Sequence, residues 1–240
     1  SLCSAIAGMA STECTSTGLF GDHAVKLGLA IAAGVGATVT WMWLTCGSNS
    51  HECARLKTPQ HGDVYADVDG CRRVRVAGGD DESLMRHAIQ VAKRAVDNGN
   101  HPFGAILVDK STGVIIAEAE NTAMTSSDCT RHAELNLVSF GCRQAIALDN
   151  VVLVTSTEPC AMCATAMYWA GIREVVYGTP ESSLNKIVLS IDADGPALPI
   201  PCRELWAKGK TWLGEFNVVG PVLEQEANEV HENFWPEFLA

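Results

Sequence analysis

The sequence predicts an α/β fold in three layers, with helices on both faces of a central β-sheet. From residue 80 onward, short runs rich in β-branched residues alternate with segments whose apolar residues recur at helical spacing. The two kinds of segment follow one another along the chain and do not form separate blocks. Because such alternation places helices against a sheet, it indicates the layered α/β class.

The first predicted helix begins at Asp80 or Asp81, either of which can cap it, and ends at the Asn-Gly-Asn turn of residues 98–100. Its apolar residues return every three or four positions, which is typical of one buried helix face. Two strands are predicted next, over residues 103–108 and 114–118, with a turn over residues 110–113 between them.

The second half of the chain continues the alternation. We predict helices over residues 132–145 and 160–170, strands over residues 151–155 and 174–177, and a C-terminal helix over residues 223–234 with one acidic face. Residues 192–210 are assigned to no element.

The chain divides into an N-terminal leader over residues 1–79 and a folded domain over residues 80–240. Residues 27–46 carry no charge and are long enough, as a helix, to cross a hydrocarbon core of about 30 Å. We therefore expect a membrane or targeting segment there, the alternative being a leader with no structural role. Residues 47–79 are predicted to be a polar linker.

The acidic charge lies entirely in the folded domain. The whole chain has a formal net charge of −11, and basic and acidic residues balance within residues 1–79. Nucleic-acid binding depends on Lys and Arg side chains that meet phosphates, so this balance disfavours a polyanionic substrate. The other interpretation of the charge is solubility.

Three residues have the types and the spacing of a zinc site. Cys160 and Cys163 form a Cys-x-x-Cys pair at the predicted start of a helix, where the helix dipole favours thiolates. His132 stands at the predicted start of the preceding helix. A zinc ion with three protein ligands keeps a fourth position open, which is typical of catalytic sites. The alternatives are a structural zinc knuckle and a redox cysteine pair.

Glu134 is predicted to move protons. It follows His132 by two residues, which is about 200° around a helix, so it approaches the metal from another side and is not a ligand. A carboxylate there can take a proton from a zinc-activated water and later return it.

Residues 83–178 resemble the cytidine-deaminase-like superfamily of zinc-dependent deaminases, in the branch of bacterial guanine deaminases and tRNA adenosine deaminases. The resemblance implies a three-layer α/β/α fold with a mixed central sheet, Zn²⁺ as the cofactor and hydrolytic release of ammonia. It is carried by His101-Pro102-Phe103-Gly104-Ala105, by Asn121, by Asp128-Cys129-Thr130-Arg131-His132-Ala133-Glu134 and by Glu158-Pro159-Cys160-Ala161-Met162-Cys163.

The resemblance also implies the residues that bind the substrate. Asn121 would hydrogen-bond the edge of a base, Phe103 and Trp169 would help to form its pocket, and Ala133 would lie beside it. Phe and Trp at positions 103 and 169 resemble the residues of guanine deaminases more than those of tRNA adenosine deaminases. From residue type alone, Phe103 and Trp169 could equally be core residues, and Asn121 a turn residue.

These observations predict a zinc-dependent hydrolytic deaminase of a nucleobase or nucleoside, with guanine as the first candidate. The alternatives within this class are tRNA wobble-adenosine and cytosine or cytidine deamination. The alternative from another class is an inactive zinc-bearing partner subunit, against which the intact Glu134 argues. We expect a small-molecule substrate, a homodimer and, because thiolate ligands favour it, a reducing compartment such as the cytoplasm. Membrane association through residues 27–46 follows if that segment is an anchor.

Overall fold

The computed structural model describes residues 70–195, 197–209 and 215–239. Residues 1–69 of the predicted leader, with segment 27–46 and most of the predicted linker, lie outside the described residues. Within the described ranges, no helix combines the length and the apolar content that a membrane crossing requires.

The described residues form a mixed sheet of six strands, which confirms the predicted class. The strands are β1 (Cys71–Ala77), β2 (Gly104–Asp109), β3 (Val114–Glu120), β4 (Val151–Thr157), β5 (Glu174–Thr179) and β6 (Asn217–Val219). Their order in the sheet is β1-β3-β2-β4-β5-β6. The first four strands in this order pair antiparallel, whereas β4, β5 and β6 run parallel. The carboxyl ends of β4 and β5 therefore meet at one edge of the sheet.

Helices cover both faces of this sheet. They are α1 (Asp81–Asp97), α2 (Ala123–Ser126), α3 (Ala133–Arg143), α4 (Ala161–Ala170), α5 (Glu181–Ile191), α6 (Cys202–Ala207) and α7 (Glu224–Phe238). Met85 of α1 and Val230 of α7 belong to the apolar core on one face. Leu137 of α3 and Met167 of α4 belong to the core on the other face. The sheet is thus the middle of three layers, as predicted.

The predicted helices and strands of residues 80–179 are all present, with ends that differ by a few residues. Asp80 is the N-cap of α1, and its carboxylate accepts a hydrogen bond of 2.9 Å from the backbone N–H of Ser83. The C-terminal helix extends to Phe238, beyond the predicted end. Helices α2 and α6 and strand β6 were not predicted, because each is short. Helix α5 was not predicted either, although Leu184, Ile187, Val188 and Ile191 recur at helical spacing.

The structure contradicts the linker prediction for residues 71–77, which form strand β1. This strand pairs antiparallel with β3 at the edge of the sheet. Cys71 is buried, while Arg72 lies 2.8 Å from Glu118 of β3 in an ion pair. Charged residues are common on edge strands, where they discourage pairing with other chains. The three arginines of this strand interrupt the apolar alternation that would have predicted it. The ordered sheet therefore begins before the predicted domain boundary at residue 80.

Gly104 allows α1 to lie very close to the start of β2. A Cβ atom at this position would overlap the backbone of Ala88, Val91 and Ala92. The glycine therefore fixes the position of β2 under the helix, and with it the position of Phe103, which directly precedes the strand.

Candidate functional site

His132, Cys160 and Cys163 converge at the N-terminal ends of two helices. His132 is the N-cap of α3 and Cys160 is the N-cap of α4. One potential ligand atom from each of the three residues lies within 4.8 Å of the others. The Nδ1 atom of His132 is 3.5 Å from the Sγ atom of Cys160. In the part of the chain that the structure describes, this is the one cluster of His, Cys, Asp and Glu with such geometry.

The donor set of this cluster fits zinc. One imidazole nitrogen and two sulfurs are ligands that Zn²⁺ prefers, and three protein ligands leave a position for water. The hydrogen bond with Cys163, helped by His132, lowers the pKa of the Cys160 thiol to about 4, against the effect of burial. The same hydrogen bond and burial raise the pKa of Cys163. One sulfur is therefore a thiolate at neutral pH, and a metal that binds displaces the proton of the other.

Glu134 is buried beside these three residues. Its side chain is 4% exposed, and one carboxylate oxygen accepts a hydrogen bond of 3.2 Å from the hydroxyl of Thr155 on β4. Burial, and next the charge of Cys160, raise the pKa of Glu134. A raised pKa makes the carboxylate a stronger base than an exposed one, which suits a group that takes up a proton.

Asn121 offers an unused hydrogen-bond donor. It directly follows β3 and is 0% exposed. Its Oδ1 atom accepts a hydrogen bond of 2.9 Å from the backbone N–H of Ala123, which is the turn interaction that the residue type allows. Its Nδ2 atom is buried and has no hydrogen-bond partner. An unsatisfied buried amide is costly, so this group is a candidate for binding a ligand.

Phe103 and Ala133 lie against the metal cluster. The ring of Phe103 is parallel to the imidazole of His132, with an interplanar angle of 4° and 6.4 Å between centroids. Phe103 is half-buried, whereas Ala133 is completely buried at the start of α3. The phenyl ring therefore forms a flat wall beside the metal ligand.

Trp169 is not brought to this group. It is nine residues after Cys160 on α4, which is about half a turn around the helix from that ligand. Its side chain is 60% exposed and its ring packs against the ring of Tyr168, with 5.2 Å between centroids. Within one chain, the structure places Trp169 on the outer face of α4 and not beside Phe103.

Sequence reasoning missed the contribution of the C-terminal helix. The rings of His231 and Trp235 on α7 lie 5.2 Å and 6.3 Å from the ring of Phe103. Their spacing by one helical turn in the sequence is the signal that could have paired them. That they meet Phe103 is a long-range contact that local patterns do not reveal.

The sequence also gave no role to Glu158, which precedes the Pro-Cys motif. The carboxylate of Glu158 accepts hydrogen bonds of 3.1 Å and 3.0 Å from the backbone N–H groups of Glu181 and Cys202. These donors lie at the N-terminal ends of α5 and α6. Glu158 thus fastens both helices to the segment that leads to Cys160.

A family profile described as the cytidine and deoxycytidylate deaminase zinc-binding region matches residues 79–179. That range contains all three residues of the metal cluster and Glu134. The chain is 36% identical over 155 residues to a probable cytosine deaminase of Schizosaccharomyces pombe, an alignment that covers 65% of this chain and 92% of that protein. It is 41% identical over 99 residues to a guanine deaminase of Bacillus subtilis, which covers 40% of this chain and 62% of that protein.

The fold has a counterpart among solved structures. A guanine deaminase from Nitrosomonas europaea superposes with a TM-score of 0.53 at 23% identity, covering 66% of this chain and 86% of that one. At this identity the likeness concerns the fold alone. Since the chain matches the zinc-binding profile and spans nearly all of the S. pombe relative, it belongs to the cytidine and deoxycytidylate deaminase family, whose members are hydrolases of carbon–nitrogen bonds.

Proposed function

We propose that this chain is a zinc-dependent hydrolytic deaminase of a nucleobase or nucleoside, with guanine as its first candidate substrate. The observation that carries the proposal is the convergence of a three-ligand metal cluster, a buried carboxylate and an unpartnered buried amide at one edge of the sheet. A structural zinc site needs neither the buried carboxylate nor the unpartnered amide.

His132, Cys160 and Cys163 hold the metal in this proposal. When bound, zinc acts as a Lewis acid and makes a water molecule nucleophilic near neutral pH. Glu134 takes one proton from the attacking water and delivers it to the ring nitrogen. It then passes the second proton, from the newly added hydroxyl, to the amine, which leaves as ammonia as the carbonyl forms. The hydrogen bond from Thr155 keeps the Glu134 carboxylate turned toward the metal cluster.

Asn121 and Phe103 bind the base. The Nδ2 group of Asn121 donates to an acceptor on the edge of the ring and thereby gains the partner that it lacks. The ring of Phe103 lies parallel to the metal ligand His132, so a base bound at the metal has this ring beside it. Phe103 therefore contacts the base by stacking on its face or by bordering it. A site of this kind recognises one ring by its edge and its face, with no contact to phosphate.

Two candidate substrates are supported by relatives whose names refer to them. Guanine is favoured by the higher identity of the B. subtilis guanine deaminase, which nevertheless aligns over only 62% of its length. Cytosine is the second candidate, because the probable cytosine deaminase of S. pombe aligns over 92% of its length. The acidic balance of residues 80–240 argues against a tRNA substrate, which requires basic side chains for its phosphates.

We also propose that two copies of the chain associate. Trp169 supports this, because an exposed indole is typical of surfaces that become buried on association. Light scattering should give the mass of a dimer for the unsubstituted protein and of a monomer for Trp169→Lys. A dimeric Trp169→Lys variant would place the contact elsewhere.

The substrate assignment is tested by ammonia release from guanine, guanosine, adenine, cytosine and cytidine. We expect guanine to have the highest kcat/KM of these compounds. Asn121→Ala should lower kcat/KM for guanine at least about tenfold, because the base loses a buried hydrogen-bond donor, while the zinc content stays the same. Higher kcat/KM for cytosine would transfer the assignment to the second candidate. Faster formation of inosine in a tRNA anticodon than release of ammonia from any base would contradict both.

A further inference from the structure

The C-terminal helix α7 reaches the candidate site through one buried histidine. His231 is 1% exposed, whereas Glu232 and Asn233, which follow it, are exposed. The Nε2 atom of His231 lies 2.7 Å from the hydroxyl oxygen of Thr157, the last residue of β4. Its Nδ1 atom lies 3.2 Å from the indole nitrogen of Trp235, one turn further along α7.

These two partners determine where the imidazole carries its hydrogen. An indole N–H can only donate, so Nδ1 of His231 accepts the hydrogen bond from Trp235. The hydrogen of the neutral ring is therefore on Nε2, which donates to the hydroxyl of Thr157. Burial lowers the pKa of His231 to about 3, so the ring stays neutral at neutral pH. The hydroxyl hydrogen of Thr157 is left free for another acceptor.

The hydrogen bond between His231 and Thr157 joins two parts of the site. Thr157 stands three residues before Cys160, so its position affects the segment that carries this metal ligand. The ring of His231 lies 5.2 Å from that of Phe103, which also neighbours the parallel ring of His132 and the ring of Trp235. Phe103 thus lies between a metal ligand and His231.

A second buried hydroxyl lies next to this hydrogen bond. Thr157 of β4 pairs in register with Thr179, the last residue of β5. The hydroxyl of Thr179 is buried without a hydrogen-bond partner. The paired ends of β4 and β5 therefore hold one unpartnered buried hydroxyl next to the hydrogen bond between His231 and Thr157.

We propose that His231 is a positioning residue for deamination: by holding Thr157 and the ring of Phe103, it sets the width of the pocket and hence the choice between one-ring and two-ring bases. This role rests on the proposed function, because it requires a base in the pocket. Packing alone does not account for a histidine here, since an apolar side chain would fill the space without burying a polar ring.

The role predicts an effect on binding more than on turnover. A pocket wall contacts the base both before and during the reaction, so a displaced wall weakens the ground state and the transition state together. Such a change raises KM and leaves kcat nearly constant. It also changes the KM for guanine and the KM for cytosine by different factors, because the two bases differ in size.

The test is steady-state kinetics with guanine and with cytosine, alongside zinc content and melting temperature. Thr157→Val keeps the shape of the side chain but removes the acceptor, and we expect it to raise KM for the better base about tenfold with kcat within about twofold. Thr157→Ser restores the hydroxyl and should return KM to within about twofold of the unsubstituted value. His231→Gln keeps an N–H donor but not the ring, so the ratio of kcat/KM between the two bases should shift about fivefold or more. Glu232→Gln, its exposed neighbour, is the matched control and should change nothing.

A structural role would give another pattern. If Thr157→Val lowers the melting temperature or the zinc content while KM and base preference stay the same, His231 does not position the pocket. If the unsubstituted protein converts both bases and all variants share its KM, this inference fails and the proposed function stands. If the unsubstituted protein converts neither base, the proposed function fails, and the role of His231 fails with it.

Discussion

The carboxylate of Glu134 accepts a hydrogen bond of 3.2 Å from the hydroxyl of Thr155. Glu134 belongs to helix α3 and Thr155 to strand β4, so the bond joins two separate elements of the fold. Both residues are buried. The orientation of the proposed proton carrier thus depends on a residue outside the His-x-Glu and Pro-Cys-x-x-Cys motifs.

Thr155→Val should reduce kcat about tenfold, because it keeps the volume of the side chain but removes a hydrogen bond to a charged group. Zinc content should be unchanged, since no metal ligand is altered. Steady-state kinetics and metal analysis on the same preparation measure both quantities. Thr155→Ser, which keeps the hydroxyl, should retain most of the activity, and an equally slow Thr155→Ser variant would refute an orienting role for this bond.

Cys163→Ala should lose most of the zinc, which we expect at about one ion per chain in the unsubstituted protein. Cys163 is buried within the metal cluster, and replacing its thiolate ligand by water would greatly lower the affinity for zinc. Cys129→Ala is the matched control, because Cys129 is an exposed cysteine in the loop before His132. Equal zinc content in the two variants would contradict the ligand assignment.

The buried carboxylate of Glu118 should make stability depend on pH. Its 5% exposed side chain contacts Arg72 at 2.8 Å, His87 at 2.7 Å and Arg94 at 2.9 Å. Burial alone would raise the pKa of Glu118, but these three groups outweigh burial and lower it. The stabilisation is therefore present above the unfolded-state pKa of about 4.3 and is lost as the pH falls through the folded-state pKa.

Urea unfolding of the unsubstituted protein and of Glu118→Gln measures this effect. At pH 7 the substitution should lower the free energy of unfolding by roughly 1–3 kcal/mol, because hydrogen bonds to a buried charge are lost. The difference should shrink as the pH falls below about 4, where the carboxyl group takes up a proton. A difference that is the same at pH 7 and at pH 3 would show that the charge of Glu118 does not stabilise the fold.

Removal of residues 1–69 should leave a stable domain, whereas removal of residues 1–79 should not. The longer deletion takes away strand β1, which covers the edge of β3 and supplies Arg72 to Glu118. The exposed edge would invite aggregation. Melting temperature and solubility of the two truncated chains test this, and equal behaviour would mean that β1 contributes little.

The metal cluster and Glu134 could be predicted because their geometry is mostly local. Each ligand lies at the start of a helix, and helix geometry alone separates Glu134 from the ligand set. The same geometry argues against Trp169 as a pocket residue, since nine residues carry it to the opposite side of α4 from Cys160. That prediction rests on family likeness, which does not specify the side of the helix on which Trp169 lies.

The remaining parts depend on contacts between distant residues. Strand β1 is stabilised by Glu118, a partner far along the chain, and its three arginines conceal the alternation of a strand. His231 meets Thr157 across 74 residues, and local patterns carry no signal for such a pair. The sequence therefore predicts the chemical groups and the helices that carry them, but not the long-range contacts that hold these elements together.

The central claim is that Glu134 moves protons for a zinc-dependent deamination, and Glu134→Gln tests it most directly. Gln has nearly the same size and cannot act as a base, so the variant should keep the zinc and the melting temperature. Ammonia release from guanine and from cytosine should be followed together with zinc content. We predict that kcat falls at least about a hundredfold, in the range expected for loss of a general acid–base group, with zinc content unchanged. A Glu134→Gln variant that retains normal ammonia release, or that loses its zinc, would contradict this account.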